Sequence, residues 1–368
     1  MRVRGSWASC GESSGVKYKP DWEEARERLC ALWEGRSVRR PCIAVMAPSG
    51  KNIPWPARPA TLEGLWLDPE YAVAAAKAHI ENTWWGGEAM PAHLIMSGWM
   101  LCFGGRHQFR EDTIWHGLIE VDFERPPSFR VDLNDPWIKK FERVHRAVAT
   151  AAGKDDFMVG QPCQLPANDL FSMQMGTERF LLALAEHPDW MLEALMQGAR
   201  SLVAAFKHFT QITAKTNDFP YGVAGWMTLW APERYMGTQS DVSCMMSPEM
   251  YDEFVLPELR LYAREIGPIW YHLDGGDAKQ HLPTLLSMPE MKVIQYTPRP
   301  CEPPNGPAHI DFYRQVQAAG KIVHVGVPKE NVEALVRELD PGLLMIETGC
   351  GSIREGEELL AAAETDWR

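Results

Sequence analysis

Apolar positions in the second half of the chain follow two spacings, one typical of buried strands and one typical of amphipathic helices. Continuous apolar runs predict strands at 157–161, 222–226, 268–274, 292–297, 321–326 and 343–348. Spacings of three and four predict helices at 168–175, 177–186, 188–217, 247–265, 277–287, 308–319, 329–338 and 354–365. Repeated strand–helix units indicate a parallel sheet with right-handed crossovers.

The first half of the chain is less regular. Its pattern predicts helices at 21–33, 68–83 and 135–151, a strand at 41–46, a long loop at 47–67, and short strands at 92–96 and 118–122. Residues 1–19 are rich in glycine and serine and predict a flexible N-terminal segment. The rest, 20–368, is expected to form a single domain.

At least six strand–helix units without a dinucleotide-binding glycine motif favour a closed (β/α)8 TIM barrel over an open sheet. The N-terminal 150 residues would supply the first strands together with elaborations. In such a barrel, chemistry takes place at the carboxyl ends of the strands. We therefore look for reactive side chains where the predicted strands end.

Composition narrows the range of partners. The 368-residue chain has a net charge of −12 and a pI near 5.4, which argues against nucleic-acid and anionic-membrane binding. Apolar stretches are too short for a transmembrane helix, and no signal peptide is recognisable, so a cytoplasmic protein is expected. The eight cysteines are scattered without a Cys-x-x-Cys pair, which is typical of reduced thiols.

The strongest candidate chemistry lies at the ends of two predicted strands. His272 and Asp274 are two residues apart, so their side chains are expected on the same side of a strand. Cys350, flanked by glycines, follows another predicted strand. An imidazole, a carboxylate and a thiolate would make a three-ligand zinc site with an open fourth position, as in catalytic zinc centres.

Each of these residues has a structural alternative. Asp274 is also suited to cap the next helix or to orient His272. Cys350 taken alone would be a buried thiol. Glu347, on the predicted strand that precedes Cys350, is a further candidate for a metal ligand or a catalytic base.

Several other polar and aromatic residues fall near predicted strand ends. Asp241 is a candidate catalytic carboxylate, with a turn residue as its alternative. The candidate substrate-binding residues are Gln161, Asp169, Trp226, Trp230 and His281. Their alternatives are a helix cap for Asp169, packing beneath the site for His281, and core packing for the tryptophans.

One set of short runs in the second half of the chain forms a recognisable pattern: Trp226, Asp241-Val242-Ser243, Met246-Ser247-Pro248-Glu249-Met250-Tyr251, Pro257 and Tyr271-His272-Leu273-Asp274-Gly275. These runs resemble the uroporphyrinogen decarboxylase superfamily, which also contains zinc-dependent methyltransferases that use a corrinoid. The resemblance extends over roughly residues 20 to 365 and is strongest between about 220 and 350. It implies a (β/α)8 barrel and allows a homodimer.

The methyltransferase branch holds zinc with a His-x-Cys pair and a distant cysteine. The matching positions here are His272, Asp274 and Cys350, so this chain has a carboxylate where that branch has a thiolate. A carboxylate makes the metal harder and better suited to an oxygen ligand. The resemblance therefore implies a demethylase component that moves a methyl group from a small methoxylated or methylated substrate to a corrinoid on a partner protein.

Two alternatives stay open. A decarboxylase-like lyase acting on a small acid would need no metal, with Asp241 or Asp169 as the proton donor. A tetrapyrrole with many carboxylates would need several arginines after the first strand, yet no arginine occurs between Met46 and Arg58. The third hypothesis is a non-catalytic barrel that binds a ligand.

Overall fold

The computed structural model describes residues 16–36, 38–95, 101–153, 157–160, 165–214 and 227–367. Within them the α-helices are α1 (Trp22–Glu34), α2 (Leu62–Leu67), α3 (Pro69–Asn82), α4 (Pro136–Ala152), α5 (Ala167–Met175), α6 (Thr177–Glu186), α7 (Pro188–Ala214), α8 (Pro248–Phe254), α9 (Leu256–Glu265), α10 (Leu282–Ser287), α11 (Ile310–Ala318), α12 (Lys329–Glu338) and α13 (Ile353–Thr365). Short 3-10 helices span Asp241–Met245, Gly276–His281, Pro307–His309 and Pro341–Leu343.

A mostly parallel sheet organises the described strands. The strands are β1 (Cys42–Pro48), β2 (Thr83–Gly87), β3 (Ala92–His93), β4 (His107–Phe109), β5 (Ile114–His116), β6 (Met158–Val159), β7 (Met236–Thr238), β8 (Ile269–Asp274), β9 (Met291–Thr297), β10 (Ile322–Gly326) and β11 (Leu344–Gly349). Seven of them pair in the order β2-β1-β11-β10-β9-β8-β7, and only β2 runs antiparallel to its neighbour. The chain is therefore an α/β protein.

The expected closed barrel of eight strands is only partly present in these pairings. Strands β3 and β6 form a separate parallel pair, and β4 and β5 form an antiparallel hairpin, so the seven-stranded sheet is open along the described residues. The strand predicted at 222–226 lies outside the described residues.

The two faces of the sheet belong to two separate apolar clusters. Along β8, Tyr271 and Leu273 pack in the cluster shared with the surrounding helices, whereas Trp270 belongs to the second cluster. The second cluster also contains Trp22 and Trp33 of α1. This alternation is the period-two pattern of a strand that is covered on both faces.

Proline and cap residues set several helix boundaries. Asp68 accepts hydrogen bonds from Glu70 N (2.9 Å) and Tyr71 N (3.1 Å) just before Pro69 opens α3. The helix predicted over 247–265 is instead two helices, α8 and α9, that meet at Val255. Pro257 lacks the N–H that a continuous helix would require there.

Two further expectations differ from the structure, and a third falls mostly on residues outside the description. The strand predicted at 118–122 is absent from that described stretch, and strands β4 and β5 lie just before it. Helix α2 lies inside the predicted loop 47–67 because Thr61 caps it, accepting from Gly64 N at 3.0 Å. In the predicted flexible segment, residues 1–15 lie outside the description, while Lys19 is buried and donates to Trp85 O at 3.1 Å.

No helix in the described part of the chain is both long enough and apolar enough to cross a lipid bilayer.

Candidate metal centre

Strand β8 carries two polar side chains toward the same side of the sheet. Nε2 of His272 lies 3.8 Å from Oδ1 of Asp274, in agreement with their spacing of two along a strand. His272 is buried, and Asp274, at the carboxyl end of β8, is accessible to solvent. This end of a parallel sheet is where α/β proteins place ligands.

Asp241 completes a group with these two residues. It opens the 3-10 helix Asp241–Met245, which follows strand β7. One ligand atom from each of Asp241, His272 and Asp274 lies within 4.8 Å of the other two. One imidazole nitrogen and two carboxylate oxygens form a donor set that suits a divalent cation.

The imidazole of His272 is held by a neighbouring amide. Gln295 on β9 is in register with His272, and its Oε1 accepts a hydrogen bond from Nδ1 of the histidine. Gln295 in turn donates from Nε2 to Thr297 Oγ1 at 3.0 Å, which fixes the direction of the amide. Because Nδ1 is the donor, Nε2 of the neutral ring carries the lone pair on the side facing Asp274.

Asp241 is positioned by a buried aspartate on another helix. Asp169 of α5 accepts hydrogen bonds from Asp241 N and Val242 N, both at 3.0 Å. The side chain of Gln239 bridges the two carboxylates, donating to Asp169 Oδ2 at 3.1 Å and to Asp241 Oδ2 at 2.6 Å. Asp169 therefore caps the turn that carries Asp241. The helix-cap alternative considered for Asp169 thus applies to this turn and not to α5, the helix on which Asp169 lies.

Three carboxyl groups, those of Asp169, Asp241 and Asp274, lie close together in this centre. Burial raises the pKa of Asp169, and burial together with the charges of Asp169 and Asp274 raises the pKa of Asp241 to about 8. Asp241 is still accessible to solvent. The nearby cation Arg299 is engaged by Asp277 in an ion pair. A bound divalent cation would reverse these shifts, because it favours the ionised carboxylates.

His281 supports the centre from below the Asp241 turn. Its Nε2 is 2.8 Å from the carbonyl oxygen of Ser243, and its ring stacks on Tyr251 with 4.2 Å between centroids. Burial lowers the pKa of His281, which favours a neutral ring that donates to this carbonyl. This arrangement matches the packing alternative considered for His281.

Cys350 lies outside the group formed by Asp241, His272 and Asp274. The backbone N–H of Cys350 donates to Met46 O at 2.9 Å, and its side chain is buried. Strand β11, which precedes Cys350, is three positions from β8 in the order of the sheet. The structure thus brings two of the three expected ligands together and adds Asp241.

Glu347 faces a different set of partners. Its Oε1 accepts from Thr228 N at 2.7 Å and lies 3.2 Å from His324 Nε2. Nδ1 of His324 accepts from the indole N–H of Trp270 at 3.0 Å. Glu347 is therefore one end of a buried polar chain, and the catalytic role expected for it stays a prediction.

The remaining candidates lie away from the described centre or outside the description. Trp230 is buried and packs edge-on against Trp22 of α1, with 5.3 Å between ring centroids. Gln161 and Trp226 lie outside the described residues. Their predicted contacts with substrate stay predictions.

Sequence reasoning missed Gln239 and Gln295, the two amides that hold the centre. Gln295 and Thr297 are two residues apart on β9, so the sequence alone predicts that they lie on one side of that strand. The register between β9 and β8, which puts Gln295 beside His272, depends on tertiary structure and cannot be predicted from this spacing. Gln239 precedes Asp241 by two residues and carries no distinguishing pattern.

Comparisons with known proteins bear on the fold. No protein-family model matches the chain, and no curated protein matches it. Among solved structures, the chain is similar to a methyltransferase from Methanosarcina mazei, with a TM-score of 0.58 and 14% sequence identity. The likeness covers 93% of this chain and 98% of that one. At this identity the finding concerns the fold, and the chain shares the overall fold of that methyltransferase.

Proposed function

We propose that this protein is a metal-dependent methyltransferase that takes a methyl group from a small methoxylated or methylated substrate. The observation that carries the proposal is the group of Asp241, His272 and Asp274 at the carboxyl edge of a parallel sheet. The fold shared with a methyltransferase supports the reaction class. We further propose that the strands close into the eight-stranded barrel of the uroporphyrinogen decarboxylase superfamily.

Zinc fits this donor set. Zinc accepts imidazole nitrogen and carboxylate oxygen, and three protein ligands leave a position for substrate. When bound, zinc would act as a Lewis acid on the substrate heteroatom, which makes that atom a better leaving group. The carboxylates would favour an oxygen substrate over a thiol.

The chain's own residues prepare the centre. Gln295 holds the ring of His272, and Asp169 with Gln239 holds Asp241, so the ligands need little reorganisation. The proposed roles of Glu347 in catalysis and of Cys350 as a further ligand rest on the sequence. A corrinoid carried by a partner protein is the proposed methyl acceptor and would approach the carboxyl ends of the strands.

A decarboxylase-like reaction is the second candidate, and one observation favours it. Asp169 and Asp241 are joined through the amide of Gln239, and their pKa values are both raised. A carboxyl group that keeps its proton near neutral pH is suited to donate it to a carbanion after loss of carbon dioxide. This reaction would proceed without a metal.

Metal content separates the two candidates. The full-length protein is loaded with Zn²⁺, dialysed and analysed for zinc per chain, alongside His272→Ala, Asp274→Ala, Asp241→Asn and Cys350→Ser. The matched control is Asp252→Asn, which removes an exposed carboxylate bonded to Thr284. We expect the first three variants to lose about one zinc relative to the wild type and the control to lose none. If Cys350→Ser also loses about one zinc per chain, the thiol of Cys350 belongs to the ligand set.

Activity is then measured with free cob(I)alamin as the methyl acceptor and a panel of methoxylated aromatics and methylamines as donors. Formation of methylcobalamin is expected with the wild type and should fall at least about 100-fold in His272→Ala, since the Lewis acid contributes several kcal/mol. A well-folded wild type that retains no zinc would contradict the proposal. Metal-independent release of carbon dioxide from small acids would establish the second candidate.

A further inference from the structure

A second group of metal-ligating side chains lies in the hairpin between α3 and α4. His107 on β4 and His116 on β5 are direct partners in the antiparallel ladder. Residues directly opposite each other on antiparallel strands project to the same side. Their rings are accordingly close, with 5.4 Å between centroids.

Cys102 approaches this histidine pair from the turn that precedes β4. One ligand atom from each of Cys102, His107 and His116 lies within 4.8 Å of the other two. Ligands of tetrahedral zinc are about 3.3 to 3.6 Å apart, given its bond lengths to nitrogen and sulfur. Side-chain shifts of about 1 Å would therefore close the group around an ion.

The backbone near Cys102 is shaped to admit the thiol. A Cβ atom at Gly105 would lie 3.0 Å from Cys102 Sγ and 2.8 Å from the carbonyl oxygen of Gly117. Only glycine fits between the sulfur and the opposite strand without a shift. Gly117 N also donates to Arg106 O at 2.7 Å, which ties the two strands together beside the thiol.

Aromatic rings pack against His107, and a cavity opens beside it that one of these rings, Trp137, also lines. The ring of His107 packs against Trp137 at 4.9 Å and Phe141 at 5.8 Å between centroids. Cys102 and His107 also line a cavity of about 250 Å³ that includes Arg130 and Asp132. The rings restrict the orientation of His107, and the cavity gives access and room for a fourth ligand such as water.

We propose that Cys102, His107 and His116 bind a thiophilic divalent ion, Zn²⁺, in a site distinct from the Asp241 centre. One thiolate and two imidazoles are softer donors than the carboxylates of that centre and favour zinc over magnesium, calcium or manganese. Binding releases the thiol proton to solvent. The ion would fasten the turn at residues 102–106 to the β4–β5 hairpin, whose three-residue strands have few ladder hydrogen bonds of their own.

Cobalt substitution tests the site because a thiolate ligand gives Co²⁺ a charge-transfer band in the near ultraviolet. The full-length His272→Ala variant is loaded with Co²⁺, so that the Asp241 centre does not contribute. The band is compared with that of the same protein carrying Cys102→Ser, His116→Asn, Cys350→Ser or Cys30→Ser. Cys30 is the matched control, since it is another partly buried free cysteine and lies on α1.

We expect the band in the His272→Ala protein, its loss with Cys102→Ser, and a shift or loss with His116→Asn. Cys30→Ser and Cys350→Ser should leave it unchanged. Zinc analysis should show about one ion per chain remaining in His272→Ala and none after Cys102→Ser is added. A folded His272→Ala protein without the band, or a band that survives Cys102→Ser, would overturn the proposal. Far-ultraviolet circular dichroism identifies a variant that fails to fold, and His107→Gln then replaces it.

Discussion

The side-chain amide of Gln295 lies beside the imidazole of His272 on the neighbouring strand, and its oxygen accepts the Nδ1–H of the ring. This contact selects the tautomer and the orientation of the histidine. Replacing Gln295 with alanine should therefore lower zinc affinity by about 10- to 100-fold, as loss of a ligand's hydrogen-bond partner does in other metal sites. Competition with a chromogenic chelator measures the change.

Gln295→Glu is the matched variant, because it keeps an oxygen that accepts from Nδ1. We expect it to bind zinc at least as tightly as the wild type, since a carboxylate makes the imidazole a stronger donor. Equal affinity in Gln295→Ala and the wild type would show that His272 is oriented by other contacts.

Asp169→Asn should loosen the turn that carries Asp241. The carboxylate of Asp169 accepts three hydrogen bonds, from two backbone N–H groups and from Gln239, and an amide oxygen with an NH₂ beside it cannot accept them all. A buried donor without its acceptor costs about 1–3 kcal/mol, so urea unfolding should show a loss of that size. Zinc binding should weaken in the same variant. If stability falls and zinc affinity does not, the turn has no part in the metal centre.

Gly275→Ala should disturb the metal centre through Asp274. Gly275 has φ of 73°, and a Cβ there would lie 2.8 Å from Cγ of Arg299, a residue held by Asp277. Gly320 is a matched control because its φ is 70° and nothing lies within 4 Å of an added Cβ. Both alanine variants should lose about 1–2 kcal/mol from the left-handed backbone. Only Gly275→Ala should also lose zinc affinity, measured by the same chelator competition.

Glu258 should make stability depend on pH. It is fully buried, and burial raises its pKa from 4.5 to about 7 in the folded protein. The folded state thus keeps a proton that the unfolded state has lost, so this residue's contribution to stability falls as pH rises from 4.5 to about 7. The full change is about 3 kcal/mol at 1.36 kcal/mol per pKa unit.

Glu258→Gln isolates this contribution because glutamine stays neutral. The stability of the variant relative to the wild type, from urea unfolding between pH 4.5 and 7, should increase with pH. The exposed Glu253→Gln on α8 serves as the control and should show no such trend. A constant difference for Glu258→Gln would mean that the buried carboxyl group is already ionised at acidic pH.

The sequence predicted the elements with strong periodicity and the local part of the site. Strands β8 to β11 and helices α12 and α13 lie where apolar spacing placed them, because each is long and buried on a regular face. The proximity of His272 and Asp274 followed from strand parity alone. These features depend on neighbours in sequence.

Features that depend on distant contacts were not predictable in this way. The pairing of Asp169 with the Asp241 turn spans 72 residues, and the contact of His272 with Gln295 spans 23. The position of Cys350 relative to β8 depends on strand order and curvature, which apolar spacing does not encode. Short strands such as β4 and β5 carry too few residues for a period to be recognised.

Helix α5 links the outer helices to the proposed metal centre. Its first residue, Ala167, donates from its backbone to Glu258 of α9 at 2.6 Å, and Asn168 donates to the same carboxyl group at 3.0 Å. One residue further on, Asp169 holds the backbone of Asp241. A rigid-body displacement of α9 would therefore be transmitted over three consecutive residues to Asp241, a proposed metal ligand. The geometry of the proposed centre thus depends on the packing of a helix that contributes no atom to it.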